Sequence, residues 1–153
     1  MSVLSERIKQ YQFGNAGHEA ILNIMLTSSH IRERLNSICL EHSISLQQFN
    51  ILRILKGIHP EGFPRCEISE RMVERAPDTT RLIDRLVKSG YVRREKSSAD
   101  MRQSIAKITK NGINLLAAIN ERIDQFTDNF ESQMGTANCK QISEFCDNIL
   151  KKT

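Results

Sequence analysis

Twelve Lys or Arg side chains fall between Arg65 and Lys110 against seven Asp or Glu, so this stretch of 46 residues carries +5. Ten basic and eleven acidic residues remain outside it, a balance of −1, and the formal +4 of the chain is therefore the property of one segment. A localised positive field suits a polyanion, most often nucleic acid, because Lys and Arg neutralise phosphates and release their counterions. The competing explanation is a solvated face whose acids and bases pair with one another.

Other reactive side chains are sparse. Cys39 and His42 stand three apart, and Cys139 and Cys146 share the last helical stretch. A Cys-x-x-His with no second pair is a poor zinc pattern, and cysteines at helical spacing more often serve as small core residues, so neither a metal nor a cofactor is expected. His18 and His30 read as surface or interface residues. No nucleophile beside a base, glycine-rich phosphate loop or carboxylate pair stands in a recognisable context, and an enzyme is not expected.

The elements that must position the basic residues are legible from periodicity. Ala20, Ile24, Ile31, Leu35 and Ile38 form one stripe of a long helix from about Ala16 to Glu41. Ser45 and Gln48 have capping-box spacing at the head of a second helix, which carries Phe49, Leu52 and Leu55 and stops at Gly57 and Pro60. Residues 59–65 read as a loop. A short helix is expected from Cys66 to Val73, followed by the tight connection Glu74-Arg75-Ala76. Pro77 suits the first turn of the next helix, Leu82, Ile83, Leu86 and Val87 make its inner face, and Gly90 supplies its left-handed stop. The pair is a helix-turn-helix candidate. Tyr91–Glu95 and Gln103–Ile108 read as two strands joined by the polar turn Lys96–Arg102, so the order is that of a winged helix.

From Lys110 the helical period returns through Ile113, Leu116, Ile119, Ile123, Phe126, Phe130 and Met134. A last helix, about Asn138 to Lys151, carries Ile142, Phe145 and Ile149. So much one-sided apolar surface exceeds what a small winged helix covers. A second copy of the chain is the economical cover, giving a homodimer; an intramolecular helix bundle is the alternative.

The 153 residues, 39% of them hydrophobic, fit one domain with helical extensions. No apolar run approaches the roughly 18 residues of a membrane span, and the first residues lack the order of a signal peptide. A cytoplasmic protein with reduced thiols and no membrane association is expected.

Asp100-Met-Arg102-Gln-Ser-Ile105-Ala-Lys-Ile108-Thr109-Lys-Asn-Gly112 resembles the wing pattern of the MarR (multiple antibiotic resistance regulator) family: Asp-x-Arg, alternating aliphatics, then Thr-x-x-Gly. Thr80-Arg81-Leu82-Ile83-Asp84-Arg85-Leu86 with Gly90-Tyr91-Val92 is similar to that family's recognition helix and the turn into its wing. Leu46-Gln-Gln-Phe49-x-x-Leu52 followed by Leu55 is similar to its second helix, and the likeness spans about residues 18 to 150. It implies a mainly α fold with a small β-hairpin wing, a winged helix-turn-helix flanked by N- and C-terminal dimerisation helices. The single domain 1–153 then divides into a DNA-binding lobe, 45–109, and a helical dimerisation region, 16–42 with 110–151. Implied partners are a second copy, double-stranded DNA with a palindromic operator, and a small-molecule or oxidant signal. Pro77 stands where many relatives have Ser or Thr, and the segment Gly57–Arg65 is longer than in minimal members. Peroxide-sensing relatives carry their reactive Cys near the start of the first long helix, where this chain has none.

Thr79, Thr80, Arg81 and Arg85 are expected opposite the Leu82–Leu86 stripe, facing a major groove. There Arg81 and Arg85 could fork onto guanine O6 and N7, and the threonine methyls could meet thymine methyls. Asp78 is expected to cap the helix; for Arg85, an internal salt bridge is the alternative. Arg102 at the wing is expected in the minor groove with Asp100 orienting it, and Lys96 and Ser98 on phosphates. Arg65 and Arg75 are candidate backbone contacts or members of a solvated face. The function expected is a sequence-specific dimeric DNA-binding regulator, in the repressing mode, with a winged-helix protein-docking module as the alternative.

Overall fold

Most helix starts in the computed structural model, which describes residues 2–152 apart from the side chain of Lys152, are set by side chains that accept otherwise free N–H groups. Ser2 caps a helix not anticipated from the sequence, α1 (Val3–Ile8), whose Leu4 is buried where α1 meets the next helix. Asn15 caps α2 (Ala16–Leu40), its Oδ1 accepting from the His18 N–H at 2.9 Å. Both bonds of the expected capping box form at the head of α3 (Leu46–Gly57): the Gln48 N–H donates to Ser45 Oγ, and the Ser45 N–H donates to Gln48 Oε1. Asn36 of α2 accepts the Leu46 N–H at 2.9 Å, tying the two helices at their junction.

The segment after α3 differs from the expected loop. Phe63–Pro64 form a short strand, β1, whose residues pair antiparallel with Ala106 and Ile105. Gly62 makes this approach feasible, since a Cβ there would lie 2.3 Å from the Ala106 carbonyl oxygen. Next come α4 (Arg65–Arg71), α5 (Thr79–Lys88), β2 (Val92–Lys96) and β3 (Ser104–Ile108), in a sheet of order β1-β3-β2. The expected hairpin forms, with Val92 opposite Ile108 and Lys96, expected in the turn, opposite Ser104 at the end of β2.

Thr109 explains the Thr-x-x-Gly pattern in physical terms. Its hydroxyl donates to the Gly90 carbonyl at 2.7 Å and accepts the Gly112 N–H at 3.1 Å, so it joins the end of α5 to the start of α6 (Lys110–Met134). Gly112 must be glycine for packing: a Cβ there would stand 2.2 Å from the Tyr91 carbonyl oxygen. Gly135, at φ 83°, breaks the chain between α6 and α7 (Thr136–Lys152).

The core lies where α3 meets α5, α6 and the sheet, around Ile51, Leu52, Leu55, Ile68, Ile83, Leu86 and Ile119. Cys39 joins it fully buried, as a small apolar residue. The outer helices are different. Ile21, Ile24 and Met25 on α2, Phe130 and Met134 on α6, and Ile142 and Phe145 on α7 stay exposed in the single chain, so an intramolecular bundle does not bury them. Among the described residues no helix is long and apolar enough to cross a membrane.

Candidate nucleic-acid interface

Recognition-helix geometry begins at Asp78, whose Oδ1 accepts the Arg81 N–H at 3.0 Å and sets Thr79 as the first residue of α5. Pro77, expected inside the first turn, precedes the cap instead, because the Asp78 carboxylate satisfies a free N–H and complements the positive end of the helix dipole. The connection from α4 is accordingly the seven residues Met72–Asp78, longer than expected. Thr79, expected in the groove, is only 3% exposed. It shares the i, i+4, i+7 face of Ile83 and Leu86, and its hydroxyl lies 3.4 Å from Ser69 Oγ and 3.5 Å from the Ala76 carbonyl. Thr79 therefore anchors the turn rather than facing outward. Thr80, Arg81, Asp84 and Arg85 do face solvent.

Asp84 reaches across to the wing. Its Oδ1 accepts from Arg94 Nη2 at 2.7 Å, so the carboxylate holds α5 against β2 and leaves Arg85 without the internal salt bridge that was its alternative role. Toward the tip of the hairpin Glu95 pairs with Arg93 and, at 2.8 Å, with the partly buried Lys107. Neither Arg94 nor Glu95 was singled out by spacing, since Asp84 and Lys107, their partners at 2.7 and 2.8 Å, lie on other elements.

The wing tip is a closed loop of short hydrogen bonds. Ser97 Oγ accepts the Ala99 N–H at 3.2 Å, and the Gln103 N–H donates to the Asp100 carbonyl at 2.9 Å. Asp100 Oδ1 accepts the backbone N–H of Arg102 at 2.9 Å. Asp100 thus shapes the backbone that presents Arg102, whereas orientation of the guanidinium itself had been expected. Arg94, Lys96, Met101 and Arg102 border one shallow groove on the wing, and Gln47, Pro77, Asp78, Arg81 and Arg85 border another at the start of α5. Gln47 had no sequence signal of its own; the fold of α3 against α5 brings it there.

Pairing decides what the +5 segment can do. Arg71, Arg93, Arg94 and Lys107 are matched to acids within the chain. Arg65, Arg75, Arg81, Arg85, Lys88, Lys96, Arg102 and Lys110 are exposed and make no ion pair among the described residues. Most acids are occupied: Glu67, Asp84 and Glu95 in these pairs, Glu74 with Arg32, and Asp78 and Asp100 in backbone bonds. A self-neutralised face would not leave eight cations over. Six of the eight sit on α4, α5 and the wing, with Arg75 in the connection before α5 and Lys110 at the start of α6, which suits a phosphate backbone with grooves on either side.

Burial pushes the Cys39 thiol up to about 11. Cys66 and Cys146 are exposed and no group of three or more metal-binding side chains occurs among the described residues.

Comparison with known proteins points the same way. Residues 44–104 match the model of the MarR family. A MarR transcription factor of Planctomyces limnophilus, known from its crystal structure, is 30% identical, with 93% of this chain and 100% of that one covered and a TM-score of 0.67. Staphylococcus aureus MepR in its complex with DNA superposes at a TM-score of 0.76 over 85% of this chain and 95% of that one, at 18% identity. YfiV of Bacillus subtilis, an uncharacterised helix-turn-helix-type transcriptional regulator, is 36% identical over 80 residues, 52% of this chain. That match spans about half of the relative, 48% of its length.

Proposed function

The chain belongs to the MarR family of transcriptional regulators, and from that premise we propose that it acts as a homodimeric repressor on an inverted-repeat operator in double-stranded DNA. One observation carries this reading: five of the eight unpaired cations, Arg81, Arg85, Lys88, Lys96 and Arg102, sit on α5 and the wing, which are bridged by the Asp84–Arg94 pair. Placed in a major groove, α5 offers Arg81 and Arg85 to guanine edges and the Thr80 methyl to thymine. Arg102 on the wing enters the flanking minor groove, where the negative potential is enhanced. Lys96, Ser98, Arg65 and Arg75 bind phosphates, fixing register without reading sequence.

Residues 45–109 form the DNA-binding lobe in this reading, and 16–42 with 110–151 the dimerisation region. The exposed apolar side chains of α2, α6 and α7 are what a second copy would bury. Two-fold symmetry then sets the half-sites about one helical turn apart. A dimer covering a promoter excludes polymerase, which makes repression the expected sign. A small molecule seated between the dimer helices and the DNA-binding lobe releases it, as the family resemblance implies.

The test is a binding titration on the DNA upstream of the chain's own gene, followed by footprinting with and without phenolic ligands and oxidants. Affinity should fall with salt at a logarithmic slope of about −0.9 per phosphate contact. Binding that is absent, or flat between low and moderate salt, overturns the reading in favour of a protein-docking module.

A further inference from the structure

Glu74 is an acid in the middle of a lobe whose surplus charge is positive. It lies in the segment between α4 and α5, where Val73, Arg75 and Pro77 face solvent while Glu74 and Ala76 turn toward the body of the protein. Ala76 packs on the core, and the Glu74 carboxylate meets Arg32 of α2, Nε to Oε1, at 2.5 Å. Otherwise α2 packs chiefly on α3 and α6, and α4 and α5 chiefly on α3 and the sheet. The long outer helix and the segment that enters the recognition helix are thus joined indirectly through α3, and directly by this ion pair.

We propose that the Arg32–Glu74 pair is a strut setting where α5 stands relative to the dimer helices, which makes Arg32 and Glu74 positioning residues for operator binding. The proposal rests on the dimeric DNA-binding reading above. Both side chains are about half exposed, 49% and 42%, so the pair contributes little to folding, as exposed pairs generally do. Geometry is where it matters. Two copies of α5 must meet two half-sites at a fixed separation, and that separation is carried from α2 of each copy to α5 through contacts such as this one. Glu74 lies outside α5 and its negative charge is unsuited to phosphate, so in this proposal it acts through the segment that ends in the Asp78 cap.

Electrostatics and positioning predict opposite results for Glu74→Ala, which makes the idea testable. Removing an anion from a lobe that binds DNA should tighten binding to every sequence if charge alone matters. Loss of a strut should weaken binding to the operator alone. The experiment uses the full chain and an operator selected by it from randomised DNA, then measures affinity for that operator, for the operator with one base pair inserted between half-sites, and for unrelated DNA, together with Tm. Expected for Glu74→Ala and Arg32→Ala are unchanged Tm, operator affinity about fivefold weaker, and reduced discrimination against the inserted base pair. Glu74→Ala should hold unrelated DNA at least as well as the parent does. The swapped double variant R32E/E74R should restore both operator affinity and spacing preference. Tighter binding of Glu74→Ala to all three DNAs, equal weakening on operator and unrelated DNA, or a swap that restores nothing overturns the strut. If the parent chain selects no operator, the DNA-binding reading falls and takes the strut with it; if the parent does and the variants match it, only the strut falls.

Discussion

Arg102 and Lys96 share one wing yet should behave differently when removed, because the proposed complex puts the first in a groove and the second on phosphate. Arg102→Ala should cost about 1–3 kcal/mol on the operator and relax preference at the base pairs under the wing, whereas Lys96→Ala should weaken all sequences alike and lower the salt slope by about 1. Anisotropy on matched and scrambled duplexes separates the two, and equal losses for Arg102→Ala on both duplexes would remove it from the minor groove. Cys39 gives a prediction of another kind. Its thiol is raised from 9.0 to about 11 by burial, so the folded state favours the protonated form. Stability is therefore unaffected below about pH 9 and falls as pH rises toward 11, by on the order of 2–3 kcal/mol. Denaturation midpoints of the parent should decline over that window more than those of Cys39→Ala, and a thiol reagent at pH 8 should label Cys66 and Cys146 but leave Cys39 untouched in the native protein. Labelling of Cys39 at the rate of the exposed thiols would contradict its burial.

At the scale of elements, what was legible in the sequence is what neighbouring residues decide. Ser45 with Gln48 and Asp78 with Arg81 are caps three residues apart, and both form as the sequence suggests; the Thr-x-x-Gly pattern proves to be a third such cap, Thr109 with Gly112. Strand β1 was not legible, because two residues show no alternation and their pairing depends on the distant Ala106 and Ile105. Thr79 was misplaced for a related reason: opposite faces of one helix turn are easily exchanged when only the stripe Leu82–Leu86 is considered, and Ser69 and Ala76 decide which face is inside. Gly112 links two elements most tightly. Gly112→Ala would press a methyl group on the Tyr91 carbonyl and on Ile108, forcing α6 away from the turn into the wing. A loss of about 1–3 kcal/mol is expected, read as a lower Tm; an unchanged Tm would mean that the α5–β2 turn yields freely.

For the whole molecule the decisive surface is the exposed apolar face of α2, α6 and α7. Phe145, 60% exposed in the single chain, would tolerate Glu if that face met only water. If a second copy covers it, Phe145→Glu should shift the sedimenting species from dimer to monomer, keep the helical signal, and weaken operator binding by at least about tenfold, as loss of a buried aromatic anchor does. A variant that sediments and binds as the parent does would place the dimer interface elsewhere.

The sequence by itself determined the long helices, the caps at Ser45 and Asp78, the hairpin and the segment holding the positive charge, since these follow from periods of two to four residues and from composition, and its motifs carried the family resemblance. Only the tertiary structure decided which charges remain for DNA. Asp84 with Arg94, Glu95 with Lys107 and Arg32 with Glu74 join different elements, and such pairs form because packing of the core around α3 brings those elements together. The net +5 was visible as a sum; the eight cations left unpaired are a property of the fold, because neutralisation acts across ångströms of space and not along the chain.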